Sequence, residues 1–367
     1  MNFFVRIFLP APLAKPLLQT CRNSPVVCRT HVASCWRWRI GKDDGSSVSL
    51  RSTAKRRYHR QLLQHLNDWK DESFNVNLLK RSITYHQDGI VAINKPPGLG
   101  VSGRGNDSST PLTLASMMSH IADITDCPSI EIAQGLEKEA SGLVLLTENK
   151  MAAEELQDKI KEARNRRQFI KTYQCIVCGI PNRKVVSVSK MYLGTEVIGG
   201  MNQTVVRHDP SGRQIRDGDV WSAETRYRVV RENRDLGCAL VELQPLRVRR
   251  HQLQVQMTNE LCPILGDHTY SHQVKTILGN PVLMDPHKSL ATHGIQVLRP
   301  GMRKALSMTN QQVSYLPLFL HLHRVVLPEW AGHRDVAIEA PLPIHFTRAL
   351  KELGLVEKLK QLSYSAR

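Results

Sequence analysis

The chain has 367 residues, 41% of them hydrophobic, which is enough apolar material for one large domain or two smaller ones. Lysine and arginine number 50 against 33 acidic residues, giving a net charge of +17 and a pI near 9.7. This charge favours a polyanionic partner, either nucleic acid or an acidic membrane surface. Eight cysteines in a chain of this length argue against a small disulfide-bonded scaffold.

The first 42 residues contain no acidic residue and seven basic ones, and the rest of the chain still carries +10. Their short apolar patches are interrupted by Arg6 and Pro10, so this segment is too short and too broken to span a bilayer. An acid-free, arginine-bearing, amphipathic start is typical of a mitochondrial transit peptide, whereas a secretory signal has a longer uncharged apolar region. We therefore predict import into the mitochondrial matrix without stable membrane insertion.

Residues 43–82 are polar and basic, which predicts a linker and an N-terminal helix around residues 62–69. A cluster of basic residues precedes this helix: Lys55, Arg56, Arg57 and Arg60. The cluster could lie on RNA or on the main domain, or it could simply face solvent.

A compact domain is predicted over residues 83–355, followed by a C-terminal tail at 356–367. Its first apolar strand, at 90–93, runs into Pro96, Pro97 and Gly98, which stop the strand and permit a turn. Apolar residues spaced by four predict a helix at 151–163. Further strands are predicted at 142–146, 172–177, 223–230, 238–243 and 321–327. Strands outnumber helices and do not strictly alternate with them, which indicates an α+β fold with a mixed sheet.

Cys175 and Cys178 form a CxxC pair inside a strand-like run. Residues three apart on a strand face opposite sides of a sheet, so the two thiols could not share one metal ion. They are interpreted as core cysteines, and no metal site is predicted.

Five short motifs follow one another along the predicted domain. They occupy residues 88–98, 134–143, 171–179, 249–270 and 321–343, and they include an Asn-Lys-Pro-Pro-Gly turn and a Lys-Thr-Tyr sequence. This ordered set resembles the RluA-type RNA pseudouridine synthases, most strongly the mitochondrial members. The resemblance implies one catalytic domain with a mixed, largely antiparallel sheet, flanking helices and a basic central cleft. It also implies conversion of uridine to pseudouridine without a cofactor.

The resemblance assigns roles to two residues of the site. Glu137 takes the position of the catalytic carboxylate, and Tyr173 the position of the ring that lies against the target uracil. A core aromatic side chain in the sheet is the structural alternative for Tyr173.

The site departs from the family pattern at three positions. The usual aspartate is Glu137, the usual arginine two residues earlier is Gly135, and the arginine that pairs with the carboxylate is Gln254. A carboxylate without that partner is expected to have a raised pKa. If residues 249–257 were helical, Arg250 would lie one turn before Gln254 and could reach the carboxylate instead.

The predicted RNA-binding residues combine two basic clusters with neighbours in the same motifs. They are Arg164, Arg166, Arg167, Lys171, Arg247, Arg249, Arg250 and His251.

The sequence leaves two functions open. One is a mitochondrial synthase acting on messenger or ribosomal RNA in support of translation. The other is a non-catalytic RNA-binding protein that stabilises ribosomal RNA or assists ribosome assembly. Other RNA-modifying and ribosome-assembly proteins are expected partners.

Overall fold

The computed structural model describes residues 72–102, 112–181, 186–287, 295–332 and 334–356. All of them belong to one compact unit, Ser49–Arg367. The predicted transit peptide, the predicted helix at 62–69 and the tail from residue 357 onward lie outside the described residues.

Most of the strands in the described part of the chain belong to one sheet of eleven strands, whose main path runs β1-β2-β4-β12-β5-β9-β8-β6-β7. β13 pairs with β12, β3 pairs with β4, and β10 and β11 form a separate hairpin. The strands are β1 (Ile83–Gln87), β2 (Ile90–Lys95), β3 (Glu131–Gln134), β4 (Ser141–Thr147), β5 (Lys171–Cys178), β6 (Ser187–Ile198), β7 (Met201–Arg207), β8 (Val220–Asn233), β9 (Cys238–Pro245), β10 (Val274–Ile277), β11 (Asn280–Leu283), β12 (Leu320–Ala331) and β13 (Arg334–Glu339).

The helices lie in the connections between these strands, except the first, which precedes β1, and the last, which follows β13. They are α1 (Glu72–Ser82), α2 (Met118–Thr125), α3 (Lys150–Asn165), α4 (Gly212–Arg216), α5 (Gln252–Asn259), α6 (Pro300–Ala305), α7 (Asn310–Val313) and α8 (Ile344–Glu352). Within the described residues, none of them has the length and apolar character needed to cross a membrane.

The predicted α+β class with a mixed, largely antiparallel sheet is confirmed. Adjacent strands pair antiparallel throughout the main sheet except β4 and β12, which pair in parallel. This parallel pairing brings Gly142 close to Leu322 of β12. Gly142 has φ +116°, and a Cβ atom there would overlap the Leu322 backbone, so only glycine fits at this position.

The central strand β5 is covered on both faces. Cys175 and Val177 pack into one hydrophobic cluster, whereas Ile176 packs into a second cluster on the other face, with Cys178 against it. The two thiols of the CxxC pair therefore lie on opposite faces of the sheet, as predicted for core cysteines.

A third cluster covers the β2–β4 end of the sheet. Leu79 of α1 is fully buried there together with Val91 and Val144. The helix before β1 is therefore part of the packed fold.

Candidate active site

The loop between β3 and β4, residues 135–140, carries the predicted catalytic carboxylate and is held from beneath by a buried lysine. The ammonium group of Lys95, at the end of β2, donates hydrogen bonds to the carbonyl oxygens of Leu99 (3.0 Å), Lys138 (3.1 Å) and Ala140 (2.6 Å). It also reaches the carbonyl of Pro96 at 2.9 Å. The end of β2, the proline turn that follows it and the loop of residues 135–140 are thus held together by one buried ammonium group.

Burial lowers the pKa of Lys95 from 10.5 to about 7, against the opposing effect of the nearby carboxylates of Glu139 and Glu137. In the sequence this lysine stands out only as part of a turn motif. Its place at the end of a buried strand, directly before two prolines, is the only indication of an internal role that the sequence offers.

Glu137 is anchored by the main chain of the opposite side of the site. The His251 N–H donates to Glu137 Oε1 at 2.6 Å. The pKa of Glu137 is raised from 4.5 to about 7, chiefly by burial and to a lesser extent by the charges of Glu139 and Asp267, while the hydrogen bond from His251 and the charge of Arg250 oppose this rise. This carboxyl group therefore titrates near neutral pH.

His251 is oriented by its own backbone conformation and by a tyrosine. Its φ of +57° places it in the left-handed region directly before α5, and this directs its N–H to Glu137. The ring Nδ1 lies 2.8 Å from the hydroxyl of Tyr270, and that hydroxyl also accepts a hydrogen bond from the N–H of Thr204 at 3.1 Å. Burial lowers the pKa of His251, so its ring is neutral at physiological pH.

Glu137 and Tyr173 line the same cavity, which has a volume of about 390 Å³. This size lies within the range of roughly 300–1,000 Å³ that is usual for small-molecule sites. Lys171, Arg249 and Arg250 contribute the basic side of the cavity. The structure thus brings together both residues predicted as catalytic and three of those predicted to bind RNA.

Tyr173 lies at the centre of the sheet. On β5 it pairs with Leu243 of β9 and Leu322 of β12. Leu322 in turn pairs with Gly142, beside the loop of residues 135–140, which is called the catalytic loop after the predicted role of Glu137. Its side chain is buried, with 3% of its surface exposed. Burial, and to a lesser extent the charge of Glu137, raises the pKa of the phenol well above its usual value, so the hydroxyl keeps its proton.

Arg250 lies at the site, but not in the helical position from which the sequence analysis expected it to reach the carboxylate. Helix α5 begins at Gln252, so Arg250 lies before the helix and not one turn ahead of Gln254 on a shared face. Arg250 nevertheless lines the cavity, and its charge lowers the pKa of Glu137. Gln254 is buried, with 3% of its surface exposed, and is absent from the cavity lining.

Lys171 enters the cavity from the first residue of β5. Burial lowers the pKa of its ammonium group from 10.5 to about 8. Like Arg249 and Arg250, it therefore supplies positive charge next to the space where a nucleotide would lie.

Gly135 lies at the cavity with room for a side chain. Within the part of the chain that the structure describes, the atoms nearest to a Cβ placed there belong to Val101, at 3.4 Å, and the residue is exposed. The backbone at residue 135 therefore accepts a side chain, so no steric limit accounts for the absence of the family's arginine at this position.

The remaining predicted RNA-binding arginines divide into two groups. Burial and the nearby charges of Arg249 and Arg164 lower the pKa of Arg247, so these three guanidinium groups form a cluster of like charge. Arg249 also lies over the ring of Trp221, at 4.8 Å from its centroid. A cluster of this kind is typical of a surface that binds a polyanion.

Arg166 and Arg167, by contrast, have carboxylate partners. Arg166 pairs with Glu162 at 2.6 Å and with Glu329 at 3.5 Å, and Arg167 pairs with Glu224 at 2.7 Å. Their charges are partly neutralised within the protein, which makes them weaker candidates for phosphate contacts.

Comparison with known proteins matches this site to one family. The sequence model of the RNA pseudouridylate synthase family matches residues 89–259, which include the catalytic loop, Tyr173 and His251. The chain is 37% identical to the human mitochondrial mRNA pseudouridine synthase RPUSD3 over 76% of this chain and 78% of that protein. It is 31% identical to the zebrafish (Danio rerio) mitochondrial pseudouridylate synthase RPUSD4 over 86% of this chain and 85% of that one.

The fold agrees with a solved structure of the same family. The human RNA pseudouridylate synthase domain containing 4 superposes with a TM-score of 0.56 at 25% identity, covering 80% of this chain and 97% of the other. On this sequence and structural similarity, the chain belongs to the RNA pseudouridylate synthase family.

Proposed function

We propose that this protein isomerises uridine to pseudouridine in mitochondrial RNA, with Glu137 as its catalytic carboxylate and Tyr173 as the surface on which the uracil lies. One observation carries the proposal. The carboxylate, fixed by the N–H of His251, and the tyrosine ring line one cavity whose other side is basic.

The chemistry requires only groups that the chain supplies. The target nucleotide leaves the RNA stack, at a cost of a few kcal/mol, and enters the cavity. The bond from the sugar C1′ to N1 of uracil breaks, the uracil rotates, and a bond from C1′ to C5 forms while C5 loses a proton and N1 gains one. Glu137 acts on the nucleotide as the ionised carboxylate, and Tyr173, which stays protonated, holds the base by stacking.

The basic residues around the cavity fit a role in holding the RNA backbone. Lys171, Arg249 and Arg250 line the cavity, and Arg164 and Arg247 lie close to Arg249. Phosphates attracted to this rim would position the flipped nucleotide, whereas the cavity itself selects the base.

The RNA class and the compartment are proposed from relatives and from the sequence. The human relative named a mitochondrial mRNA pseudouridine synthase favours messenger RNA as the substrate. The acid-free start supports a transit peptide at residues 1–42 and a location in the matrix. We further propose that residues 43–82 connect this peptide to a synthase domain at 83–355, with α1 of that segment packed against the domain, and that other RNA-modifying and ribosome-assembly proteins are partners.

A second candidate is a non-catalytic RNA-binding protein that acts on ribosomal RNA stability or ribosome assembly. The observation that favours it is the loss of both arginines, since Gly135 leaves that position without a side chain and Gln254 is buried away from the cavity lining. Such a protein would keep the fold and the basic rim without the reaction.

A set of substitutions at one position separates the two candidates. Pseudouridine is mapped at single-nucleotide resolution in mitochondrial RNA from cells that carry only wild type, Glu137→Ala, Glu137→Asp or Glu139→Gln. Loss of an essential acid–base group costs about 10²–10⁴-fold in rate, so Glu137→Ala should lose the modified sites. Glu137→Asp should retain or increase them, and Glu139→Gln, which changes an exposed neighbouring carboxylate, should retain most of them.

Binding of the purified variants to RNA completes the test. If Glu137→Ala removes no modified site while its RNA affinity stays at the wild-type value, the catalytic proposal is wrong and the non-catalytic candidate is supported. If sites and affinity are lost together, a circular dichroism spectrum shows whether the variant has failed to fold.

A further inference from the structure

Three side chains with metal-binding atoms meet at the end of the sheet that lies away from the cavity. His86 belongs to β1, Cys127 follows α2, and Glu148 follows β4. The catalytic loop precedes β4 and Glu148 comes after it, so the seven residues of this strand place the cluster about 20 Å from that loop.

Two of the three distances within the cluster are close to those of ligands around one ion. His86 Nε2 lies 3.7 Å from Cys127 Sγ and 3.6 Å from Glu148 Oε1, and all three ligand atoms lie within 4.8 Å of one another. Bonds to zinc of about 2.3 Å from sulfur and about 2.0–2.2 Å from nitrogen and oxygen place ligand atoms about 3.4–3.6 Å apart at tetrahedral angles. His86 and Glu148 also lie at the distance of an ion pair, and the Cys127 thiol donates to the carbonyl of Thr125 at 3.3 Å, so a bound ion would replace both contacts.

The main chain fixes each of the three residues in place. Beyond Asp126, which ends α2 in the left-handed conformation, the Cys127 N–H donates to the carbonyl of Ala122 at 3.0 Å. The Glu148 N–H donates to the carbonyl of Gly89, in the turn between β1 and β2, at 3.2 Å. His86 itself is held by pairing of β1 with β2. The backbone therefore presents the three ligand atoms from separate, anchored segments.

The burial of the three residues also fits a site that opens to solvent on one side. Cys127 is 7% exposed, whereas the side chains of His86 and Glu148 are 38% and 42% exposed. The thiol lies at the base of the cluster, and the imidazole and the carboxylate lie at its rim. A water molecule can complete four-fold coordination from the solvent side.

We propose that His86, Cys127 and Glu148 bind one Zn²⁺ ion, with water as the fourth ligand. A thiolate, an imidazole and a carboxylate form a mixed donor set that zinc accepts readily. Deprotonation of the thiol releases one proton on binding. The ion links β1 to the connection between α2 and β3 and to the start of α3, so its role is to stabilise this end of the sheet.

The sequence did not indicate this site because its ligands are 41 and 21 residues apart in the chain, without a recognisable metal motif. The Cys175–Cys178 pair has a spacing that suggests a metal site, but its thiols face opposite sides of a strand. The new site depends on strand pairing that brings distant segments together.

The experiment measures metal bound to the purified full-length chain. Wild type, Cys127→Ser, Glu148→Gln and the control Cys178→Ser are loaded with Zn²⁺, dialysed and assayed by elemental analysis. Because the chain has eight cysteines, the readout is the difference between variants. Wild type and Cys178→Ser should each hold one equivalent more than Cys127→Ser. Loss of a group that only supports a metal ligand weakens metal binding by about 10–100-fold, so loss of the Glu148 ligand itself should exceed that range.

Replacement of zinc by Co²⁺ provides a readout that does not depend on folding of a cysteine variant. Wild type and Cys178→Ser should show a thiolate-to-cobalt charge-transfer band, and Glu148→Gln should need a higher cobalt concentration to produce it. A chelator should also lower the Tm of wild type but not that of Cys127→Ser. The proposal would be overturned if wild type held no more zinc than Cys127→Ser. It would also be overturned if cobalt bound to wild type without a thiolate band, or with a band that Cys127→Ser retained.

Discussion

The two walls of the cavity are built in different ways. The acidic wall, residues 135–140, is tied by the buried ammonium group of Lys95 to the turn that follows β2. The basic wall, residues 247–251, carries guanidinium groups at the surface, where Arg247 and Arg250 are exposed. One hydrogen bond, from the His251 N–H to Glu137, joins the two walls.

Under the proposed function, the two walls have different tasks. The acidic wall would place the Glu137 carboxylate to within a fraction of an ångström, which calls for buried hydrogen bonds. The basic wall would attract a flexible polyanion, for which like charges at the surface are sufficient. Substitutions in the first wall should therefore affect folding and chemistry, whereas those in the second should affect binding and its dependence on salt.

The largest effect is expected for Lys95→Met, which keeps an unbranched side chain one atom shorter and removes its donors. Buried carbonyl oxygens then lose their partner, at about 1–3 kcal/mol for an unsatisfied group. We expect the free energy of unfolding to fall by about 3 kcal/mol, measured by urea denaturation. The activity should also fall by about 10²-fold, because the catalytic loop is no longer held in position.

Lys138→Met is the matched control for this prediction. Lys138 lies in the same loop, but its side chain is exposed, so its substitution should change stability by no more than about 0.5 kcal/mol. Equal destabilisation by both substitutions would show that the buried ammonium group of Lys95 does not hold the loop.

The next effect concerns pH and follows from the pKa of about 7 at Glu137. If the ionised carboxylate is the active form, activity should rise as the pH increases from 6 to 7 and should be about tenfold lower at pH 6 than with the carboxylate fully ionised. In the folded protein Glu137 keeps its proton between pH 4.5 and 7, where the unfolded chain has lost it. Its contribution to stability is therefore present below pH 4.5 and is lost as the pH rises through 7. Glu137→Gln should abolish this contribution.

Removal of a neighbouring charge tests the assignment of that pKa. Glu139 raises the pKa of Glu137, so Glu139→Gln should move the rise in activity to lower pH. Lys95 also titrates near pH 7, but loss of its proton would make the activity fall with increasing pH. A profile that falls through pH 7 would contradict the assignment to Glu137.

The sequence could predict those parts of the fold whose apolar residues form continuous runs. β2, β4 and β5 are buried on both faces, and all three were predicted within about two residues. β6 was not predicted, because Ser187 and Ser189 are buried there while Val188 is 41% exposed. This arrangement reverses the usual alternation of polar and apolar residues in a strand.

The sequence motifs identified Glu137, Tyr173 and Arg250 as candidate site residues. Their arrangement in space, however, depends on features that no local sequence pattern contains. The left-handed conformation of His251 starts α5 later than predicted and directs an N–H to the carboxylate. The burial of Lys95 depends on carbonyl oxygens more than 40 residues further along the chain. Contacts of this kind are set by tertiary packing and are not visible as spacing.

The smallest effect is expected at the basic wall, for the double variant Arg164→Gln/Arg247→Gln. These arginines belong to the cluster of like charge beside the cavity, so each is expected to contact a phosphate. With single-stranded RNA, the slope of log affinity against log salt should become less steep by roughly 0.7 for each phosphate that is no longer neutralised. The rate of the bound complex should not change. Affinity is measured by fluorescence anisotropy over a series of salt concentrations.

Arg166→Gln/Arg167→Gln removes the same charge from the neighbouring surface and serves as the control. Because these two arginines are paired with Glu162 and Glu224, their removal should change the slope by much less. If both double variants reduced the slope equally, the RNA would respond to the net charge of the protein, and the distinction between the clustered and the paired arginines would fail. If neither double variant reduced the slope, the RNA phosphates would contact other residues. The positive charge at the site would then come only from residues that line the cavity, such as Lys171 and Arg250.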